Sequence, residues 1–330
     1  MYDVICVGSS TVDVFAKTQY SELIKIKNMR EEEDFLAYPT GSKILVEELD
    51  FTTGGGGTNV AVAFSRLGLK AAYLGCMGND ENGNIVLKRL KENKVDTSLV
   101  VRKNGQTGYS LILDSIEHDR TILAYKGINN DLKYSDIKTN KLKTKWFYFS
   151  TMLKDAFRAQ EKLAKFAQKK GIKIIFNPSS YLANKGSSYL KEILSRAEII
   201  VLNKEEAEMI VGKDEIEYLG YKLHKLGPKY AVITDGKNGA YCYHDNFLYF
   251  AGTTDMKVIE TTGAGDSFSS TFLAGMILKN DIEFAMKLAT TNAESVISHH
   301  GAKNKLLTYR EALAVLKKRP IKVTKKKLNL

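Results

Sequence analysis

Short, mostly apolar runs that alternate with amphipathic stretches constrain this chain more than any other feature. Residues 2–7, 70–76, 146–150, 172–177, 199–202 and 230–234 are each too short for an ordinary helix and too apolar for a strand with one solvated face. Apolar residues at helical spacing fill the stretches between them. The first is 58–67, with Ala61, Phe64 and Leu67 on one face and Gly68 as its stop; 83–91, 155–169, 188–196 and 205–210 follow. Strands buried on both faces and joined by helices specify an α/β chain with a mostly parallel central sheet. A length of 330 residues leaves room for such a unit and an accessory element.

Two segments break the rhythm. Residues 107–114 and 121–125 have a period of two, with Glu117-His118-Asp119 as a polar break, and read as a hairpin. Residues 17–52 lack helical continuity and include the strand-like run 43–49. Together they predict a small β-sheet standing off the main body, as a lid over a cleft or as a plain insertion. Other classes drop out on composition. A 44% hydrophobic, 26% charged chain is not disordered, and no run approaches the roughly 18 apolar residues of a membrane helix. The start, Met1-Tyr2-Asp3, has an early acid and no basic region, against a signal peptide. Cys6, Cys76 and Cys242 lie far apart, which argues against a cysteine zinc site or a disulfide framework; a reducing, cytoplasmic setting is expected. His118, His224, His244, His299 and His300 have no metal-ligand spacing. Residues 317–330 account for seven of the eleven net positive charges, so the basicity is largely that of a solvated tail. No aromatics interleave with it, and neither a specific nucleic acid nor a membrane is an expected partner.

Three clusters carry chemistry. In Lys257-Val258-Ile259-Glu260-Thr261-Thr262-Gly263-Ala264-Gly265-Asp266-Ser267 a strand-like run meets a glycine turn. A helix then begins, with Phe268, Phe272, Leu273, Met276 and Ile277 on its apolar face. The first N–H groups of a helix have no intrahelical acceptor, and small residues let an anion approach them. The helix dipole adds about 0.3–2 kcal/mol in favour of negative charge there. Asp266 would repel a phosphate at that entrance, so it is either an acceptor for the proton of an attacking hydroxyl or simply an N-cap. The second cluster is Thr53-Gly54-Gly55-Gly56-Gly57-Thr58-Asn59, opening the first long helix. It suits a polyhydroxylated or anionic ligand, or is a mobile turn. It follows irregular chain, unlike a dinucleotide fingerprint, and GK[ST], HRD and DFG motifs are absent. Third, Asn203-Lys204-Glu205-Glu206 follows a strand directly, at the sheet edge where α/β proteins bind ligands. Glu206 suits a magnesium contact through water, or is an ordinary first-turn acid. Asp13, just after the first strand, is open in the same way between ligand contact and turn residue.

In this order, from about Gly8 to Ala302, these residues resemble the ribokinase-like (PfkB) carbohydrate kinase family. Its C-terminal D-T-x-G-A-G-D signature appears as Glu260-Thr261-Thr262-Gly263-Ala264-Gly265-Asp266, its glycine-asparagine signature as Gly54-Gly55-Gly56-Gly57-Thr58-Asn59, and its NxxE motif as Asn203 and Glu206. The resemblance implies a three-layer αβα catalytic domain of residues 1–16, 53–103 and 131–316, a β-sheet lid of 17–52 and 104–130, and the basic tail 317–330. It implies an ATP-dependent kinase acting on a hydroxyl of a small sugar or sugar derivative, with Mg2+ as cofactor. Asp266 would then be the general base and the amides of Gly263, Ala264 and Gly265 the anion hole. Asp13, Gly54, Gly55 and Asn59 would bind the sugar, Asn203, Thr234, Gly236 and Gly239 the nucleotide, and Glu206 the metal. Family members often pair through the lid, so a homodimer is implied.

Three departures bear on the acceptor. Glu260 replaces the usual leading aspartate, which counts against K+ as a further cofactor. Gly56 stands where ribokinases typically have a lysine, and Thr151-Met152-Leu153 follows a strand after which they tend to place a carboxylate; both count against ribose. A nucleoside is the alternative acceptor, with Phe15, Tyr109 and Met152 as linings for its base. A sugar phosphate would need basic residues facing it, which the sequence does not locate. A non-catalytic sugar or nucleotide sensor on the same fold is the alternative from a different class.

Overall fold

The computed structural model describes residues 1–18, 20, 22–27, 32–114, 120–254, 263–298 and 305–329. Its main element is a nine-stranded sheet. From one edge, Ala71–Leu74, Tyr2–Val7, Thr144–Phe149, Lys173–Phe176, Ile199–Asn203 and Tyr230–Thr234 run parallel. Ala240–His244, Phe247–Ala251 and Val323–Lys327 then complete it in antiparallel pairing.

Successive residues of a strand point to opposite faces, so a run that is apolar throughout feeds two cores at once. Ile5, Val7, Phe147, Phe149, Ile200 and Leu202 pack beneath the helices Lys154–Lys170, Gly186–Leu194, Lys204–Val211 and Ile216–Lys225. Val4, Cys6, Trp146, Tyr148, Ile199 and Val201 face the helices Gly56–Arg66, Ala264–Lys279 and Ile282–Ile297. The result is the three-layer α/β fold that the alternation predicts.

The small sheet orders Arg120–Tyr125, Gly108–Asp114, Thr11–Lys17 and Glu48–Gly54, beside a separate hairpin of Glu22–Lys27 and Glu32–Ala37. Here the structure departs from the sequence boundaries. Thr11–Lys17 pairs with Gly108–Asp114 and Glu48–Gly54, so the small sheet takes the chain from Thr11, and Asp13 sits on a strand rather than in a turn. The strand expected at 43–49 runs instead over Glu48–Gly54, directly into the glycine cluster, which therefore does not follow irregular chain. The expected solvated tail is also corrected. Lys317 and Lys318 end the helix Tyr309–Lys318, and Val323–Lys327 pairs along Phe247–Ala251 as the outer strand of the main sheet. Its exposed lysines give that edge the charge that discourages further strand pairing.

Candidate active site

Parallel strands bring their C-terminal ends to one edge, and the crevice outside that edge is where such sheets bind ligands. Ser150 and Asn177, just past the strands Thr144–Phe149 and Lys173–Phe176, line a cavity of about 350 Å³. Asp13, Ser110, Ile122 and Ala124 of the small sheet line it too. They share a face by register: Asp13 pairs with Ser110, and Ala124 with Ser110.

Two helix N-termini meet at this cavity. Gly55, at φ 92°, precedes the helix Gly56–Arg66, and Gly263, at φ 82°, precedes the helix Ala264–Lys279; neither end has a side-chain cap. Gly55 is required twice over, because its φ is left-handed and a Cβ would lie 2.6 Å from Ser10 Cα. Gly55, Gly56, Gly263 and Asp266 face the cavity. Gly265 is exposed, and among the described residues, its chain neighbours aside, no side chain and no backbone outside its own helix comes within 4 Å of a Cβ position there.

Asp266 is the third residue of its helix, and the N-cap position belongs to Gly263. The simpler alternative for Asp266, an N-cap, is therefore removed. Asn59 Nδ2 donates to Asp266 Oδ2 at 2.9 Å, joining the two glycine motifs. Behind Asp266 the helix is buried on every side from Ser267 to Met276 rather than along one apolar stripe. Its hydroxyls bond the preceding turn, Ser269 Oγ to Gly265 O at 2.7 Å and Ser270 Oγ to Asp266 O at 2.6 Å. Asn59 Oδ1 and Ser150 Oγ are buried at the cavity with no hydrogen-bond partner among the described residues. Such atoms are costly unless something else satisfies them, and ligand hydroxyls are of the right chemistry.

The other expected site residues divide. Asp13 lines the cavity and accepts from Thr11 Oγ1 at 2.7 Å. Gly54 does not line it; the residue lies behind Asp13, where a Cβ would collide with the carboxylate. Asn203 and Glu206 form a capping box: Glu206 N donates to Asn203 Oδ1 at 2.8 Å, and Asn203 N to Glu206 Oε2 at 3.1 Å. Burial raises the Glu206 pKa; the Asn203 and Ser180 amides oppose this, and the charges of Glu205 and Asp266 add to it. Thr234 is the register partner of Asn203 on the same sheet edge. It leads into the turn of Gly236 and Gly239, closed by Asp235 N donating to Gly239 O at 2.8 Å. None of Asn203, Glu206, Thr234, Gly236 or Gly239 lines the cavity, so they form a neighbouring group along the edge. Glu260, Thr261 and Thr262 lie outside the described residues.

Of the three linings expected for a nucleoside base, Met152 faces the cavity and Phe15 and Tyr109 do not. Tyr109 follows the opposite face of the small sheet, in register with Val12 and Tyr125. Ser9, Ser150, Lys126, Asn130 and Tyr181 were not foreseen. Ser150 follows an apolar strand and was within reach of the sheet-edge rule; Lys126 looks like any loop lysine in the sequence.

Among the described residues no cluster of three acidic, histidine or cysteine side chains could hold a metal ion, and no helix is long and apolar enough to cross a membrane.

Residues 3–308 match the family model described as pfkB family carbohydrate kinase. An uncharacterised sugar kinase of Archaeoglobus fulgidus is 27% identical over 250 residues, 74% of this chain and 98% of that protein. A 5-dehydro-2-deoxygluconokinase of Halalkalibacterium halodurans is 26% identical over 335 residues, 96% of this chain and 95% of that one. The solved structure of an Arabidopsis thaliana ribokinase complexed with ribose and ATP superposes with a TM-score of 0.78 at 19% identity, covering 96% of this chain and 99% of that one. With uncapped glycine turns converging on an aspartate at the sheet edge, and with a family model spanning nearly its whole length, the chain belongs to the pfkB family of carbohydrate kinases, phosphotransferases that take an alcohol group as acceptor.

Proposed function

We propose that this chain transfers the γ-phosphoryl group of ATP to a hydroxyl of a small sugar or sugar derivative held in the cavity. The observation that carries this reading is the Asp266 carboxylate, bonded by Asn59 Nδ2 at 2.9 Å beside the uncapped Gly263 turn. Asp266 accepts the proton of the attacking hydroxyl as its oxygen bonds to the γ-phosphorus and the bond to the ADP oxygen breaks. The amides of Gly263, Ala264 and Gly265 stabilise the charge on the transferring phosphoryl oxygens. Asp13, Gly55, Asn59 and the unpartnered Ser150 Oγ take acceptor hydroxyls, with Gly54 leaving room for Asp13. The small sheet acts as a lid that excludes water from the reaction.

Asn203, Thr234, Gly236 and Gly239 bind the nucleotide along the neighbouring edge. Glu206 fits a magnesium site reached through water: its pKa is raised by burial and by neighbouring carboxylates, an environment short of positive charge. Magnesium supplies charge neutralisation on the phosphates when bound.

Pairing of two chains through the small sheet belongs to the same proposal. The face opposite Asp13 exposes Leu49, Phe51, Leu123 and Tyr125, with Phe51 64% and Leu123 55% accessible. These residues share that face by register: Phe51 pairs with Val14, and Leu123 with Leu111.

An ATP-to-ADP coupled assay across pentoses, hexoses, sugar phosphates, sugar acids and nucleosides, with magnesium and with or without potassium, tests the reading. Acceptor-dependent ADP release is expected. ATP binding with no acceptor anywhere in the panel would favour the sensor.

A further inference from the structure

Lys126 is the sole lysine or arginine among the described residues around the cavity. It joins the strand Arg120–Tyr125 to the short turn Gly127–Asp131. That junction is fixed. Gly127 has φ 51°, and a Cβ on it would collide with Gln106 O. The buried Asn129 side chain donates to Lys126 O and to Ser10 O, at 2.8 Å each, and accepts from Ser10 N at 2.9 Å. The Lys126 ammonium lies 4.6 Å from the ring centroid of Tyr181, and among the described residues it makes no ion pair. Burial lowers its pKa, and the charge of Asp13 opposes this. Lys103, by contrast, meets Asp136 at 2.6 Å. A half-desolvated ammonium with only a ring for a close partner lacks an anion.

We infer that Lys126 receives an anionic substituent of the acceptor, a carboxylate or a phosphate, at the end of the molecule away from the attacked hydroxyl. The inference rests on the kinase reading proposed above. Its orientation follows from register: Asp13 pairs with Ser110 and Ser110 with Ala124, and Lys126 continues the latter strand, so it lies at the Asp13 end of the cavity, in keeping with the charge of Asp13 acting on it. Asp266 and the N-terminus of the helix Ala264–Lys279 mark the other end, where amides already suit the transferring phosphoryl group. An acceptor with a hydroxyl at Asp266 therefore extends toward Asp13 and Lys126. Asp13 accepts from its hydroxyls and repels its acid, which Lys126 takes. The acceptor class is then a sugar acid or a sugar phosphate.

The test compares kcat/KM, by ADP release, for D-gluconate against D-glucose, for D-fructose 6-phosphate against D-fructose, and for inosine. The two pairs separate carboxylate from phosphate. One anionic member is expected to exceed its neutral partner at least ~10-fold. Lys126→Met should reduce that ratio roughly 10- to 100-fold, mainly through KM, while Lys126→Arg keeps most of it. An equal loss on both members of a pair would make Lys126 a structural latch and overturn the inference, as would a preference for inosine. ADP release with neutral sugars only overturns the inference and leaves the kinase reading standing; no ADP release with any acceptor overturns both.

Discussion

Asp266 and Asn59 come from two motifs more than two hundred residues apart, yet a hydrogen bond joins their side chains at the cavity. Asn59 Nδ2 holds one carboxylate oxygen, Oδ2, and the helix behind Asp266 is buried along most of its length. Exchanging the carboxylate for an amide of the same shape keeps the packing but removes the proton acceptor. Asp266→Asn is expected to lower kcat by about 10²- to 10⁴-fold, with ATP affinity, read by calorimetry, preserved. Near-normal turnover in that variant would remove Asp266 from the mechanism.

Among the elements, the helix Glu81–Glu92 is tied to the small sheet through its cap. Asp80 Oδ1 accepts from Gly83 N at 2.9 Å, and Asp80 Oδ2 accepts from Thr107 N, just before the small-sheet strand Gly108–Asp114, at 2.8 Å. Burial would raise the pKa of Asp80, but the Thr107 hydroxyl and the Thr107 and Gly83 amides outweigh it and hold the value low. The folded value is below the unfolded one, so this stabilisation is complete above the ordinary aspartate range. It is lost as pH falls through the folded value. Asp80→Ala should destabilise the fold by about 1–2 kcal/mol at neutral pH, and the gap between the two melting temperatures should close in acid. The C-terminal strand makes a second prediction. Ile321 and Leu328 are buried, and Lys325 Nζ lies 4.1 Å from the Phe247 ring centroid. Deleting residues 320–330 should cost about 3 kcal/mol or more in a denaturant titration. It should also promote aggregation by uncovering the edge of Phe247–Ala251; a solvated tail would be lost without either effect.

At the scale of the whole molecule, the proposed pairing of two chains rests on the outer face of the small sheet. Leu49, Phe51, Leu123 and Tyr125 present apolar surface there. Phe51→Arg is expected to shift the chain from dimer to monomer in sedimentation equilibrium, because an arginine facing its own copy carries an uncompensated charge into the contact. An unchanged association state would place the contact elsewhere, or exclude it.

The sequence by itself determined the α/β class and the two glycine turns. Both follow from local rules: a run apolar on every residue has to be covered on both sides, and residues without side chains mark close backbone approach. The helix expected at 155–169 was equally legible; it runs over Lys154–Lys170, with Ala156, Ala159, Leu163 and Ala167 buried at helical spacing. Tertiary structure decided the rest. Whether Val323–Lys327 is tail or strand depends on an open edge supplied by Phe247–Ala251, some seventy residues earlier. Whether Asp13 is a turn residue or a strand residue lining the cavity depends on pairing with Gly108–Asp114, and whether Lys126 is a surface charge or lines the cavity depends on Asn129 binding back to Ser10. These outcomes are long-range because charge and polarity acquire their meaning only from what desolvates them, and in this fold the desolvating groups come from elements distant in the chain.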